Sequence, residues 1–368
     1  MIYTDLCGER VSLLGLGCMR FPKLENGEID KNQVAQMLVH GFEAGLNYID
    51  TAWPYHDGQS EVVLGELLQE YPRDSYYLAD KFPGHQHLPD SHPQAIFEKQ
   101  LEKCRTDHFD FYLLHNVAEG TAGVYEDPQW GIIDYFLEQK KLGRIRHLGF
   151  SCHGRVPLLA KFLEKHADEM EFCQIQFNYL DWTMQNAKEK YELLKKYNMP
   201  IIVMEPLRGG KLADDVESSF RWIQGFDQVR VVLSGMSSLA QLDQNLEIFS
   251  ERKPMTEDEI SALLDKAETL KAGVPCTGCG YCKAGCPMEL DIPEILATYN
   301  DALYYKSVNV SMFLEALAED KRPGACIGCG ACASICPQQI DIPDVMKKFS
   351  EMEIESWEEI CRKRNEKQ

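Results

Sequence analysis

Long hydrophobic runs are missing from this 368-residue chain. No stretch of about 20 apolar residues is available to span a bilayer. The first thirty residues lack the basic start and apolar core of a secretory signal, so a cytoplasmic location is expected. Positive charge is scarce: 38 Lys and Arg face 58 Asp and Glu, a net charge of −20. That balance argues against nucleic acid as a partner, because phosphate binding needs clustered cations. It favours solubility and the steering of a basic partner. A GxGxxG fingerprint between a first strand and helix is also absent, which weakens the case for an open, doubly wound dinucleotide-binding sheet.

What the chain has is alternation. Short apolar strand patterns fall near 13–17, 46–50, 76–81, 109–114, 145–150, 172–177, 200–204 and 229–233. Amphipathic helix patterns follow them near 31–44, 59–70, 92–104, 129–141, 155–166, 184–197, 215–224 and 238–249. Apolar strands alternating with helices imply parallel strands buried on both faces, and this many repeats fit a (β/α)8 TIM barrel over residues 1–250. Ahead of them, IYTDLCGERVS reads as a hairpin around Cys7 and Gly8 that plugs one end of the barrel. Residues 251–275 read as a linker. Within it Thr256 and Glu259 form a capping box for a helix over about 256–272.

Fourteen cysteines would suggest disulfides in a secreted protein, but eight of them form two tight runs. Cys276, Cys279, Cys282 and Cys286 repeat without gaps, fifty residues on, as Cys326, Cys329, Cys332 and Cys336. Each run is C-x2-C-x2-C-x3-C-P. In that pattern three thiolates of a tight loop cap one cubane and the fourth, before Pro, ligates the other. One [4Fe–4S] cluster is therefore assigned to Cys276, Cys279, Cys282 and Cys336, the second to Cys326, Cys329, Cys332 and Cys286. Zinc also takes four thiolates, but it does not call for a duplicated run ending in Cys-Pro. Residues 276–368 form the cluster domain, with helices expected over 294–320 and 344–364. Of the other six cysteines, Cys18 and Cys152 follow barrel strands at the face where a barrel's chemistry occurs; Cys7, Cys104, Cys173 and Cys361 read as core or surface thiols.

Four chemically distinct groups fall at strand ends: Asp50 and Tyr55 in LNYIDTAWPY, Lys81 in YYLADKFP and His115 in FDFYLLHN. A phenol can give a carbonyl oxygen its proton. A neighbouring ammonium favours the phenolate and should lower the phenol's pKa from about 10. An acid fixes the ammonium, and an imidazole can orient the carbonyl. Taken singly, each has an ordinary structural reading. Tyr125, Trp130 and Trp53 are expected to wall the substrate. His56, His85, His87 and His153 also follow strands, without a fixed metal-ligand spacing.

With GLGCMRFP (15–22), IDTAWPY (49–55), DKF (80–82), YLLHN (112–116), GRIRHLGFS (143–151), QIQFN (174–178), EPLRGG (205–210) and QNLE (244–247), the chain resembles the aldo-keto reductases. Its closing segment resembles the Fe–S-bearing members, in which a small, mainly helical ferredoxin-like domain follows the barrel. The resemblance implies that Asp50, Tyr55, Lys81 and His115 are catalytic. It implies that Ser151 and Gln176 hold the nicotinamide of NAD(P)H, that Gly209 and Gly210 lie along its diphosphate, and that Asn245 meets the adenine. Three positions depart from the family: Cys152 and His153 follow the strand-five Ser where Asn is usual, Met204 stands for a stacking aromatic, and Gly235 and Gln241 stand where cations would hold a 2′-phosphate.

The leading expectation is an oxidoreductase interconverting a small-molecule carbonyl and alcohol, exchanging electrons through two [4Fe–4S] clusters with ferredoxin or another carrier. A flavin- or ferredoxin-dependent reductase of a non-carbonyl substrate is the alternative enzyme, motivated by Cys152 and Met204. A redox-sensing or electron-transfer protein on a retired barrel is the non-enzymatic one.

Overall fold

The structure, a computed structural model, describes residues 1–84, 92–119, 121–184, 186–270, 273–274, 276, 280–304, 308–336, 340–356, 359 and 362. The chain divides into two compact units, Met1–Ala267 and Glu268–Gln368. Among the described residues no helix is long and apolar enough to cross a membrane.

The first unit opens with an antiparallel hairpin, β1 (Tyr3–Leu6) and β2 (Glu9–Ser12). Cys7 and Gly8 turn it, both at positive φ (57° and 90°). Eight strands follow: β3 (Leu14–Gly17), β4 (Tyr48–Asp50), β5 (Tyr77–Phe82), β6 (Phe109–Val117), β7 (Ile145–Cys152), β8 (Cys173–Gln176), β9 (Ile201–Met204) and β10 (Val229–Gly235). They close in the order β10-β3-β4-β5-β6-β7-β8-β9, every neighbour parallel. This is the expected (β/α)8 barrel. Each strand is paired on both edges and covered on both faces, which is why most strand residues are apolar. The interior is packed: Leu6 and Val11 of the hairpin join Tyr48, Ala79, Phe111, Phe172, Ile202 and Val231 in one buried cluster. The hairpin thus plugs the end where the strands begin. At Gly15 a Cβ would come within 2.8 Å of the Leu233 and Val231 side chains, so this layer admits only hydrogen there.

The helix Glu257–Leu270 carries the expected capping box: the Thr256 N–H donates to Glu259 Oε2 (2.7 Å) and the Glu259 N–H to Thr256 Oγ1 (3.2 Å). The Arg221 guanidinium holds the same Glu259 carboxylate at 2.9 and 3.1 Å. The division between the two units falls near the end of this helix.

The second unit shows the sequence repeat as structure. Short helices Tyr281–Ala284 and Ala331–Ser334 each follow a left-handed glycine, Gly280 (φ 77°) and Gly330 (φ 76°). Longer helices Ile292–Tyr304 and Ile342–Ser350 correspond in the same way. Its core pairs residues fifty apart: Cys282 with Cys332, Leu290 with Ile340, Ile292 with Ile342, Leu296 with Met346, and Tyr299 with Phe349 are all buried. Asp341 caps its helix by accepting from the Asp344 N–H (3.3 Å), whereas Asp291 takes the Lys283 ammonium at 2.8 Å. The helix expected over 344–364 is instead Ile342–Ser350, and residues 351–356 leave it. The apolar spacing Ile342, Val345, Met346, Phe349 that buries one face stops there.

Candidate active site

Asp50 closes β4, and the parallel register sets it beside Ala79 of β5, two residues before Lys81. Lys81 is fully buried. Its Nζ donates to Asp50 Oδ1 at 2.5 Å, to the Thr51 carbonyl at 2.7 Å and to Tyr55 Oη at 3.4 Å. Tyr55 is carried on the loop after β4. That loop is fixed by a Thr51–Ser60 hydroxyl pair (2.9 Å) and by His56 Nε2, which accepts from the Phe21 N–H at 3.1 Å. The His115 ring stands edge-on to Tyr55, centroids 6.2 Å apart. The structure thus brings all four residues together at the carboxyl ends of the strands.

His115 lies inside β6, where the pairing with β7 slips between Leu114 and Val117. Its ring meets Tyr55 from there. Tyr125 is no part of an exposed substrate wall: it is buried, and its hydroxyl donates to the His115 carbonyl, so it fixes the backbone that carries His115. Trp53 and Trp130 are half-buried. Trp53 is held by the Lys103 ammonium 3.9 Å over its ring, itself 2.6 Å from buried Glu61.

The expected direction of the Tyr55 pKa is reversed. Burial pushes the phenol up to about 12, outweighing the opposing pull of Lys81. Burial opposes the charge on Lys81, but Asp50 and Tyr55 prevail and hold its ammonium above the usual range. Burial also pushes Asp50 up, against Lys81. His153, beside this group, is driven down to about 4 by burial and by the Lys190 and Lys81 charges, so it is neutral. The Cys152 thiol is buried and pushed up to about 11, and Cys18 is likewise buried and shifted upward. Neither is a reactive thiolate. His85 and His87 lie outside the described residues.

Around the strip expected to take a nucleotide, Ser151 Oγ accepts from the Asn116 N–H at 2.7 Å. The Gln176 amide donates to Asp181 at 2.6 Å, and Asp181 also takes Asn178 (2.6 Å) and Arg208 (2.8 Å). Asn245 is buried, its amide donating to Ser234 Oγ at 2.9 Å; touching an adenine would require releasing that bond. Gly209 and Gly210 form an exposed turn at positive φ. Met204 is half-buried at the end of β9.

Two residues here escaped sequence reasoning. Glu205, at φ 53°, folds its carboxylate back onto the Gly209 N–H at 2.5 Å. Arg20, from the loop after β3, lies against Gly235 and reaches within 3.9 Å of Glu205. A cation is thus delivered to the neighbourhood where Gly235 and Gln241 supply none. The signals were present in EPLRGG and GLGCMRFP, but only folding brings them together.

In the second unit one cavity is lined by Cys286, Cys326, Cys329 and Cys332, with Ile327, Leu290 and Ile342 as apolar walls. These are the four thiols assigned to one cluster, and all four are free. Leu290 N–H points at Cys286 Sγ (3.5 Å). Cys276, Cys282 and Cys336 pack on the same core; Cys279 and Cys361 lie outside the described residues.

Comparison with known proteins addresses the two units as families. The profile described as "Aldo/keto reductase family" matches residues 13–224, and that of a "4Fe-4S dicluster domain" matches residues 275–342. The chain is 24% identical to the uncharacterized oxidoreductase YqkF of Bacillus subtilis, over 69% of this chain and 92% of that one. It is 24% identical to the NADH-specific methylglyoxal reductase of Escherichia coli, over 53% of this chain and 63% of the relative. The structure of aldo-keto reductase AKR11C1 from Bacillus halodurans superposes with a TM-score of 0.60 at 22% identity, covering 73% of this chain and 96% of that one. With a matching profile, a closed eight-stranded barrel and a carboxyl-terminal 4Fe–4S domain, the chain belongs to the aldo/keto reductase family of oxidoreductases.

Proposed function

We propose that the barrel interconverts a small carbonyl and its alcohol, with Tyr55 as proton donor. The observation that carries this reading is the short chain of contacts from Asp50 through Lys81 Nζ to Tyr55 Oη. Tyr55, at about 12, keeps its proton at neutral pH and so suits reduction. As the proton leaves, charge develops on the phenolate next to a buried ammonium, where electrostatic stabilisation is strongest. Asp50 keeps Lys81 charged and stationary. His115, edge-on to Tyr55, orients the carbonyl oxygen. A bound reduced nicotinamide supplies the hydride. In this reading Ser151 and Gln176 grip its carboxamide, the latter through the carbonyl oxygen left when its amide donates to Asp181.

The cysteines fit two [4Fe–4S] clusters: Cys326, Cys329, Cys332 and Cys286 around the cavity, and Cys276, Cys279, Cys282 and Cys336 as the counterpart set. Bound there, two cubanes would supply one-electron transfer to or from a carrier such as ferredoxin. A second reading, reduction driven by a flavin or by cluster electrons, draws support from Glu205, whose carboxylate occupies the Gly209 N–H that a diphosphate would use.

Anaerobic purification followed by turnover assays on small aldehydes and ketones, methylglyoxal among them, tests the proposal. It expects reduction with NADH or NADPH and about eight iron and eight sulfide per chain. A flavin spectrum without nicotinamide-driven turnover would favour the second reading. Stoichiometric zinc in place of iron would refute the cluster assignment.

A further inference from the structure

At the plugged end of the barrel, opposite the tetrad, the hairpin turn meets the starts of β7 and β8. Cys7 Sγ lies 3.6 Å from the Glu171 main-chain carbonyl. His147, only 9% exposed, stacks on Phe111 with centroids 5.1 Å apart. Its Nδ1 is 3.0 Å from Glu171 Oε2. The other Glu171 oxygen already accepts from the Leu148 N–H (2.9 Å) and pairs with the Lys140 ammonium (2.7 Å). His147 Nε2 is buried with no hydrogen-bond partner, facing Glu9 Oε1 at 3.6 Å. One ligand atom from each of Cys7, His147 and Glu171 lies within 4.8 Å of the other two.

The orphaned Nε2 is the informative detail. In the tautomer whose Nδ1–H donates to Glu171, the Nε2 lone pair would be buried against a second carboxylate, a costly arrangement. A metal ion bound at Nδ1 resolves it, because the ring proton then sits on Nε2 and faces Glu9. The nearby thiol favours a metal with affinity for sulfur. We propose that Cys7, His147 and Glu171 form a mononuclear zinc site that pins the hairpin to the barrel floor. Sulfur, imidazole and carboxylate together are a zinc donor set, with water as the fourth ligand. The 3.0 Å between Nδ1 and Oε2 approaches the ligand–ligand edge of about 3.3 Å set by bonds near 2.0 Å. Loading balances as follows. The Cys7 thiol gives its proton to solvent and Sγ binds zinc. The imidazole proton moves from Nδ1 to Nε2, and Nδ1 and Glu171 Oε2 bind the metal. Nε2–H then donates to Glu9, which Tyr77 Oη already holds at 3.0 Å. Lys140 and the Leu148 N–H keep their hold on Glu171 Oε1. Every group in the cluster ends with a partner, the outer shell that metal-bound histidines need.

The experiment uses anaerobic, cluster-loaded full-length protein, so that the eight cluster cysteines are occupied. Equilibrium dialysis against zinc, with iron counted in parallel, should give one zinc per chain in the wild type. Cys7→Ser and His147→Gln should bind it about tenfold or more weakly, at unchanged iron content and unchanged carbonyl turnover, which also shows that they fold. Cobalt in place of zinc should give a thiolate-dependent difference spectrum that Cys7→Ser loses. Zinc should raise the unfolding temperature of the wild type and not of the variants. Equal zinc uptake by all three proteins overturns the proposal. So does no uptake by the wild type.

Discussion

Tyr55 shows what a single residue's environment decides. Its place after an apolar strand was legible from LNYIDTAWPY, and so were its companions, because strand ends are readable from apolar runs. The direction of its pKa was not, since that depends on how much water the fold removes. Lys81 lowers the phenol's pKa; burial raises it further, to about 12. A proton donor works while protonated, so Tyr55 should cause no loss of carbonyl reduction as pH rises from 6 to about 9, and a decline only as pH approaches its own value. A basic limb near pH 8 in the turnover profile would assign the proton to another group. Lys81→Met should reduce turnover by about 100-fold or more, because the phenolate then forms in an apolar site without its counter-charge. Steady-state rates with and without the ammonium check this, and near-normal turnover would remove Lys81 from the mechanism.

At the scale of elements, the eightfold alternation was readable because strand and helix periods differ and each helix pattern ends in turn-forming residues. What was not readable is where irregularities fall. The slip in β6 on either side of His115 needs the β7 ladder to define it. The approach of Arg20 to Gly235 joins the loop after β3 to the end of β10, more than two hundred residues apart. The loop after β9 yields a prediction of its own. Glu205 covers the Gly209 N–H and sits 3.9 Å from Arg20, so it occupies two groups that would otherwise attract a phosphate. Glu205→Gln should therefore tighten nicotinamide dinucleotide binding. A charge-assisted hydrogen bond is worth about 1.5–3 kcal/mol, which corresponds to roughly tenfold or more in affinity. Because Gly235 and Gln241 carry no charge, NADH and NADPH should gain alike. Fluorescence titration of both nucleotides decides: unchanged or weaker binding would show that the carboxylate does not compete, and a gain confined to NADPH would make Arg20 a 2′-phosphate clamp.

On the scale of the molecule, the repeat at fifty residues was the clearest signal in the chain, because cluster ligation demands fixed spacing whatever surrounds it. The fold repeats it down to the buried pairs Leu290–Ile340 and Tyr299–Phe349. Its interlacing is testable. Cys286 belongs to the first run but lines the cavity of the second. Cys286→Ala should therefore damage the cluster held by Cys326, Cys329 and Cys332 and lower iron from about eight toward about four per chain; loss of the cluster on Cys276, Cys279 and Cys282 instead would mean that the runs do not exchange ligands. The account as a whole joins a proton-donating barrel to an electron-carrying domain, and the two should be separable by one change. The direct measurement is carbonyl turnover by cluster-loaded Tyr55→Phe, assayed anaerobically beside the wild type with iron content counted in both. The account predicts a fall of about 100- to 10,000-fold with the cluster spectrum and iron unchanged. Near-normal turnover in the variant would contradict it.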